Sequence, residues 1–162
     1  MVNSTVITVS DRCAAGIAQD RSGPILAEVL TGAGHSVSQL VIPDGADVVS
    51  EALRRAIADG ARLVVTTGGT GVGPRDRTPE GTRQVIDRDL PGVAEALRAT
   101  GAAVSPHAVL SRGIAGVVDA REGHDGALVV NLPGSPAAVR DTIPIVVGLV
   151  DHVLAQLTGA DH

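Results

Sequence analysis

The chain contains no phenylalanine, tyrosine or tryptophan among its 162 residues. A flat heterocycle bound here cannot stack on an aromatic ring, so its faces must rest on aliphatic groups, backbone or arginine. Lysine is absent as well, and all 13 basic residues are arginine. Phosphate recognition then falls to guanidinium forks and backbone N–H groups. Cys13 is the only cysteine, which excludes an internal disulfide and a thiolate metal cluster and points to a reducing cytoplasm. The apolar runs are too short to span a bilayer, and the N-terminus lacks a basic segment followed by an apolar one. The expectation is therefore no signal peptide and no membrane partner. A formal net charge of −5, without a basic face or aromatic platforms, argues against a general nucleic-acid binder.

With 44% hydrophobic and 19% charged residues the composition is that of a globular chain, and its length suits one domain, residues 1–162, with a sizeable core. Val6–Ser10 reads as a strand, followed by a loop over Asp11–Gly16. A helix is expected from about Pro24 to Thr31, capped by Ser22 or Gly23. Val37–Ile42 reads as a second strand, and a helix capped by Asp47 and running through Ala58 turns Val48, Leu53 and Ile57 inward. Arg62–Thr67 is a third strand. Strands alternating with helices imply parallel pairing, with ligands at the carboxyl ends, so Asp11, Asp44 and Asp76 should share one sheet edge. Short helices are expected over Pro79–Asp87 and Pro91–Gly101. A hairpin joins Ile114–Val118 to Ala127–Val130 and makes the sheet mixed. Ser135 and Pro136 should start a last helix, kinked or interrupted at Pro144, with a frayed tail from Thr158 to His162.

One stretch concentrates the chemistry. Thr66–Gly81 reads TTGGTGVGPRDRTPEG, with Gly68, Gly69, Gly71 and Gly73 between an apolar strand and a Thr-Pro-Glu helix start. Strand, glycine loop and helix N-terminus in that order suit the phosphates of a nucleotide. The loop fits neither common nucleotide fingerprint: the Walker lysine is missing, and Pro74 stands at the last position of G-x-G-x-x-G. Asp76 is either a turn or cap residue, or a Mg²⁺ ligand or an orienter of the attacking group; Asp44 is either a turn residue or a carboxylate that completes a Mg²⁺ site with Asp76, since Mg²⁺ takes one or two carboxylates plus phosphate oxygens and water. Arg75 and Arg77 flank the place where phosphates would sit. The five histidines show no ligand spacing.

VITVSDRCAAG (residues 6–16), Asp20, IPD (42–44), TTGGTG (66–71), RD-x-TPE (75–80), PG-x-x-E (91–95), LSR-x-x-xG (110–116) and NLPGSP (131–136) together resemble the MogA/MoaB family of molybdenum-cofactor biosynthesis and the G domains of gephyrin. The resemblance implies an α/β fold, a three-layer α/β/α sandwich with a mostly parallel mixed sheet, and a homotrimer. It implies a cytoplasmic molybdopterin adenylyltransferase that moves AMP from Mg·ATP to the molybdopterin phosphate and releases pyrophosphate. Molybdopterin and ATP would be its substrates and Mg²⁺ its cofactor, with a molybdenum-insertion protein as a further partner. The alternative is a MoaB-like paralogue acting as a non-catalytic molybdopterin-binding or scaffold protein. By the same resemblance Asp44 and Asp76 are the catalytic and metal positions. The substrate- and nucleotide-binding positions are Ser10, Asp11, Arg12, Gly68, Gly69, Thr70, Gly71, Arg75, Thr78, Glu80, Ser111, Arg112, Asn131, Pro133, Gly134 and Ser135. Three residues depart from the family pattern: Arg77 stands where valine is common, Val93 where phenylalanine is, and Ala137 where lysine is. The last removes a cation near the expected pterin site, a role open to Arg112 or Arg140.

Overall fold

A computed structural model describes residues 1–160. Six strands form one mixed sheet: β1 Asn3–Val9, β2 Ser36–Ile42, β3 Leu63–Thr67, β4 Arg88–Asp89, β5 Ala115–Val118 and β6 Ala127–Leu132. Their order is β2-β1-β3-β6-β5-β4. The first four run parallel, and β5 and β4 are antiparallel to their neighbours. The helices are α1 Asp11–Ala14, α2 Ser22–Gly32, α3 Ala46–Ala58, α4 Thr78–Arg83, α5 Pro91–Ala102 and α6 Pro136–Leu157, with a 3₁₀ turn over Pro106–Leu110.

Alternation along the strands splits the core into two layers. Val6, Leu63, Val65, Leu128 and Val130 face Leu26, Leu97 and Ile143 of α2, α5 and α6. Ile7, Val9, Val64 and Val129 face Val49, Leu53 and Ile57 of α3. Strands buried on both faces need apolar residues at nearly every position, and every residue of β3 is buried. The result is the three-layer α/β/α sandwich.

The chain leaves β1 for β2 in one direction and leaves β3 for β4, at the opposite edge of the sheet, in the other. The carboxyl ends of β1 and β3 therefore flank a topological switch point, the place where an open α/β sheet forms a crevice.

Several local expectations are corrected. The segment after β1 is a helical turn, because Ser10 Oγ accepts from the Cys13 amide and closes its start. The cap of α3 is Gly45 at φ +133°, a conformation glycine tolerates, and Asp47 sits inside the first turn. Val48 points outward and Val49 takes the core position. The cap of α2 is supplied by Asp20, whose Oδ1 accepts from the amides of Ser22 and Gly23 at 3.2 and 3.0 Å. Helix α4 stops at Arg83, because the chain then turns to the sheet edge, where Asp87 donates its amide to Val117. Pro144 does not interrupt α6; it lies on the exposed face, where water can reach the carbonyl it leaves unpaired. The expected tail is a hydrogen-bonded turn at Thr158–Ala160, and Asp161–His162 lie outside the described residues.

Candidate functional site

The end of β1 and the end of β2 are tied by a reciprocal pair. The Asp11 amide donates to Asp44 Oδ2 at 2.9 Å, and the Asp44 amide donates to Asp11 Oδ1 at 3.1 Å. Arg75, from the loop after β3, closes on both. It forks onto the two Asp11 carboxylate oxygens at 3.0 Å and donates to the Asp44 carbonyl at 2.8 Å. Hydrogen bonding from Arg75 holds the Asp11 carboxyl below its ordinary range and raises the guanidinium in turn. The sequence places Arg75 beside phosphates; in the structure its fork is on protein.

The glycine loop leaves β3 across the end of β1. A Cβ on Gly68, at φ +99°, would stand 2.3 Å from the Val9 carbonyl oxygen, so no larger residue fits. At Gly69 the same atom would lie 3.1 Å from Asp44 Oδ1, and at Gly71 and Gly73 it would lie 2.8 Å from Asp76 Oδ2. The glycines thus let the backbone pass between the two carboxylates. Asp44 and Asp76 each carry one engaged oxygen, on the Asp11 and Gly73 amides. Their other oxygens make no hydrogen bond among the described residues. The amides of Gly69, Thr70 and Gly71 also lack a partner there, whereas Gly68, Gly73, Asp76 and Thr78 donate within the fold. Successive free N–H groups are an anion-binding concavity.

The loop is held from its far side. Thr78, fully buried, donates its hydroxyl to the Gly68 carbonyl at 2.9 Å. Arg112 donates to the carbonyls of Gly71 and Asp76 at 2.8 Å each and pairs with Glu80. That pairing depresses the Glu80 carboxyl, against the opposing effect of partial burial. Arg77, at the start of α4, stands 3.9 Å from the same Glu80.

Other expected site residues fall into two groups. Thr70, Ser111, Pro133, Gly134 and Ser135 line a cavity of about 350 Å³ between the glycine loop and helices α5 and α6. Gly134 lies against Gly68, and Ser135 also caps α6. Asn131 borders the cavity, but its side chain is occupied inward: its amide donates to the hydroxyls of Thr66 and Thr82 and its Oδ1 accepts from Ile114. Ser10 caps α1, and Arg12 is exposed on that turn. Sequence reasoning missed the opposite wall, which includes Leu97, Arg98, Leu110 and Asp141. The small and aliphatic residues of α5 and α6 carried the signal, read as core packing. Ala137 is on this wall, so the departure noted from the resemblance falls at the cavity itself. Val93 is half-buried against the α5–α6 layer, and Arg140 is exposed.

Among the described residues no group of three or more His, Cys, Asp or Glu converges on a metal-sized space. Asp44 and Asp76 each keep one free carboxylate oxygen, the donor type that hard cations take. Among the described residues no helix is long and apolar enough to cross a membrane.

Residues 5–152 match a family model described as a probable molybdopterin binding domain. The chain is 36% identical to a molybdopterin adenylyltransferase of Haemophilus influenzae, over 93% of this chain and 76% of that protein. It is 41% identical to a molybdenum cofactor biosynthesis bifunctional protein of Synechococcus elongatus, over 99% of this chain and 49% of that one. The chain spans about half the length, or less, of several curated relatives it matches. The crystal structure of the molybdopterin biosynthesis enzyme MoaB from Thermus thermophilus superposes with a TM-score of 0.85 at 40% identity, covering 98% of both chains.

Proposed function

The chain belongs to the MogA/MoaB family of molybdenum-cofactor biosynthesis proteins, and on that premise we propose that it is a molybdopterin adenylyltransferase. The observation that carries the reading is the glycine loop threaded between Asp44 and Asp76 with three amides free. In the proposed reaction an oxygen of the molybdopterin phosphate attacks the α-phosphorus of ATP. A new P–O–P bond forms, the α–β bond breaks, and pyrophosphate leaves. The attacking phosphate is already ionised, so no side chain has to activate it.

The work left to the protein is positioning and charge compensation. The amides of Gly69, Thr70 and Gly71 would bind phosphate oxygens. Asp44 and Asp76 would hold Mg²⁺ through their free oxygens. Bound there, the ion would offset the negative charge of the phosphates. The cavity beside Ser111 and Ser135 would take the pterin, its faces resting on aliphatic walls where other proteins would use aromatic ones. Asp11 and Arg75 would keep Asp44 in place. A homotrimer, a cytoplasmic setting and a molybdenum-insertion partner go with this reading.

The test is to incubate the protein with molybdopterin, Mg²⁺ and ATP labelled at the α-phosphate. Label in the pterin product with release of pyrophosphate supports transfer. Molybdopterin binding without transfer would instead make the chain a non-catalytic carrier or scaffold.

A further inference from the structure

The resemblance counts Arg112 among the substrate- and nucleotide-binding positions, yet its guanidinium is committed elsewhere. Nε donates to the Gly71 carbonyl and one Nη to the Asp76 carbonyl, both at 2.8 Å, while both Nη groups reach Glu80. Its own amide donates to the Thr70 carbonyl at 2.8 Å. One residue thus grips the glycine loop at Thr70–Gly71 and again at Asp76. Glu80, on α4, fixes the guanidinium from the opposite side. A planar fork can serve separated acceptors at once in a fixed geometry, which an ammonium cannot.

Asp76 has little else to hold it. Its amide bonds to Gly73, and its Oδ2 accepts from the Gly73 amide, so both contacts lie within the same exposed turn. The turn is glycine-rich and exposed from Val72 to Arg75, and glycine leaves the backbone many conformations to lose. The turn is tied to the rest of the fold through Thr78 at the loop's base, through the Arg75 side chain on Asp11 and Asp44, and through Arg112, and of these only Arg112 bonds to Asp76 itself.

We propose that Arg112 is a positioning residue that sets the place of the Asp76 carboxylate, and is not a contact for substrate. This rests on the reading of Asp76 as a site carboxylate. Amide hydrogen exchange over Gly68–Thr78 is compared in the wild type, Arg112→Lys and Arg112→Gln, with turnover of Mg·ATP and molybdopterin measured beside it. The hydrogen-bonded loop amides of Gly73, Asp76 and Thr78 should exchange about tenfold faster in both variants, while those of β1, β3 and β6 stay unchanged. The kcat should fall about 10- to 100-fold, as expected when a reacting group is displaced by an ångström or so, with KM for molybdopterin within about threefold. Unchanged loop exchange overturns the proposal. So does a KM raised about tenfold with kcat intact, which would make the guanidinium a substrate contact. If the wild type transfers nothing, the adenylyltransferase reading fails, while the exchange comparison still decides the place of Arg112.

Discussion

Asp11 and Asp44 each accept the other's backbone amide on a carboxylate oxygen, at 3.1 and 2.9 Å. The ends of two neighbouring parallel strands are thereby locked in register, and one oxygen of Asp44 is left free. Asp11→Ala removes the acceptor for the Asp44 amide and the partner of the Arg75 fork. For the transfer reaction, kcat should fall about 10- to 100-fold and KM for ATP should move by less than about threefold, because the affected group acts through position. Steady-state kinetics on Asp11→Ala and Asp11→Asn separate the two effects.

Asp20 is a structural cap. It accepts from two amides at the start of α2 and from the Thr8 hydroxyl at 2.7 Å. Asp20→Ala should lower stability by about 1–2 kcal/mol, the scale of a lost N-cap. Urea denaturation measures this, and an unchanged midpoint would show that water replaces all three bonds.

Asn131 sits in a motif that the resemblance assigns to substrate, yet its side chain is enclosed. Asn131→Ala leaves the Thr66 hydroxyl and the Ile114 amide without a partner, while the Thr82 hydroxyl keeps its bond to the Thr78 carbonyl. A loss of about 2–3 kcal/mol is expected, from buried groups left unsatisfied. Molybdopterin affinity of the folded variant, by fluorescence titration, should stay within about threefold if the residue acts only on the frame.

The overall scaffold was legible from pattern alone. Apolar strands alternating with one-sided helices fixed the parallel core, and aspartates following strands marked the correct edge. Three things were not legible. The two-residue strand Arg88–Asp89 is too short to have a period and depends on Gly116, where a side chain would meet the Arg88 carbonyl oxygen at 2.6 Å. Val48 and Val49 are equivalent as residues, and the left-handed Gly45 decides which one faces inward. Finally, a motif shows which residues gather but not what each touches. Arg75, Arg112 and Asn131 all lie near the crevice, and their hydrogen bonds go to protein.

His35 gives a pH dependence with a definite sign. It is buried, and its ring Nδ1 lies 2.7 Å from Ser4 Oγ. Burial lowers its pKa from the ordinary 6.5, aided by the N-terminal amine and opposed by Asp151 on α6. The unfolded chain then binds more protons than the folded one in the window just below 6.5, so stability falls as pH drops through it. The carboxylates of Asp11, Glu80 and Asp87, all held below their ordinary values, lose their contribution at lower pH, in a separate window. Thermal melts from pH 7.5 to 5 should show a decline in the wild type that is flatter in His35→Gln. Equal slopes would remove His35 as the cause.

The decisive comparison for adenylyl transfer at this crevice sets Asp76→Ala beside the wild type in the labelled-ATP assay, with molybdopterin binding measured on both. The wild type should form adenylylated molybdopterin and pyrophosphate in equal amounts. Asp76→Ala should bind molybdopterin but transfer about 10³-fold more slowly, the scale of losing a main charge-stabilising group. Transfer by Asp76→Ala at the wild-type rate would show that the reaction does not depend on this carboxylate, and the proposed function would fall with it.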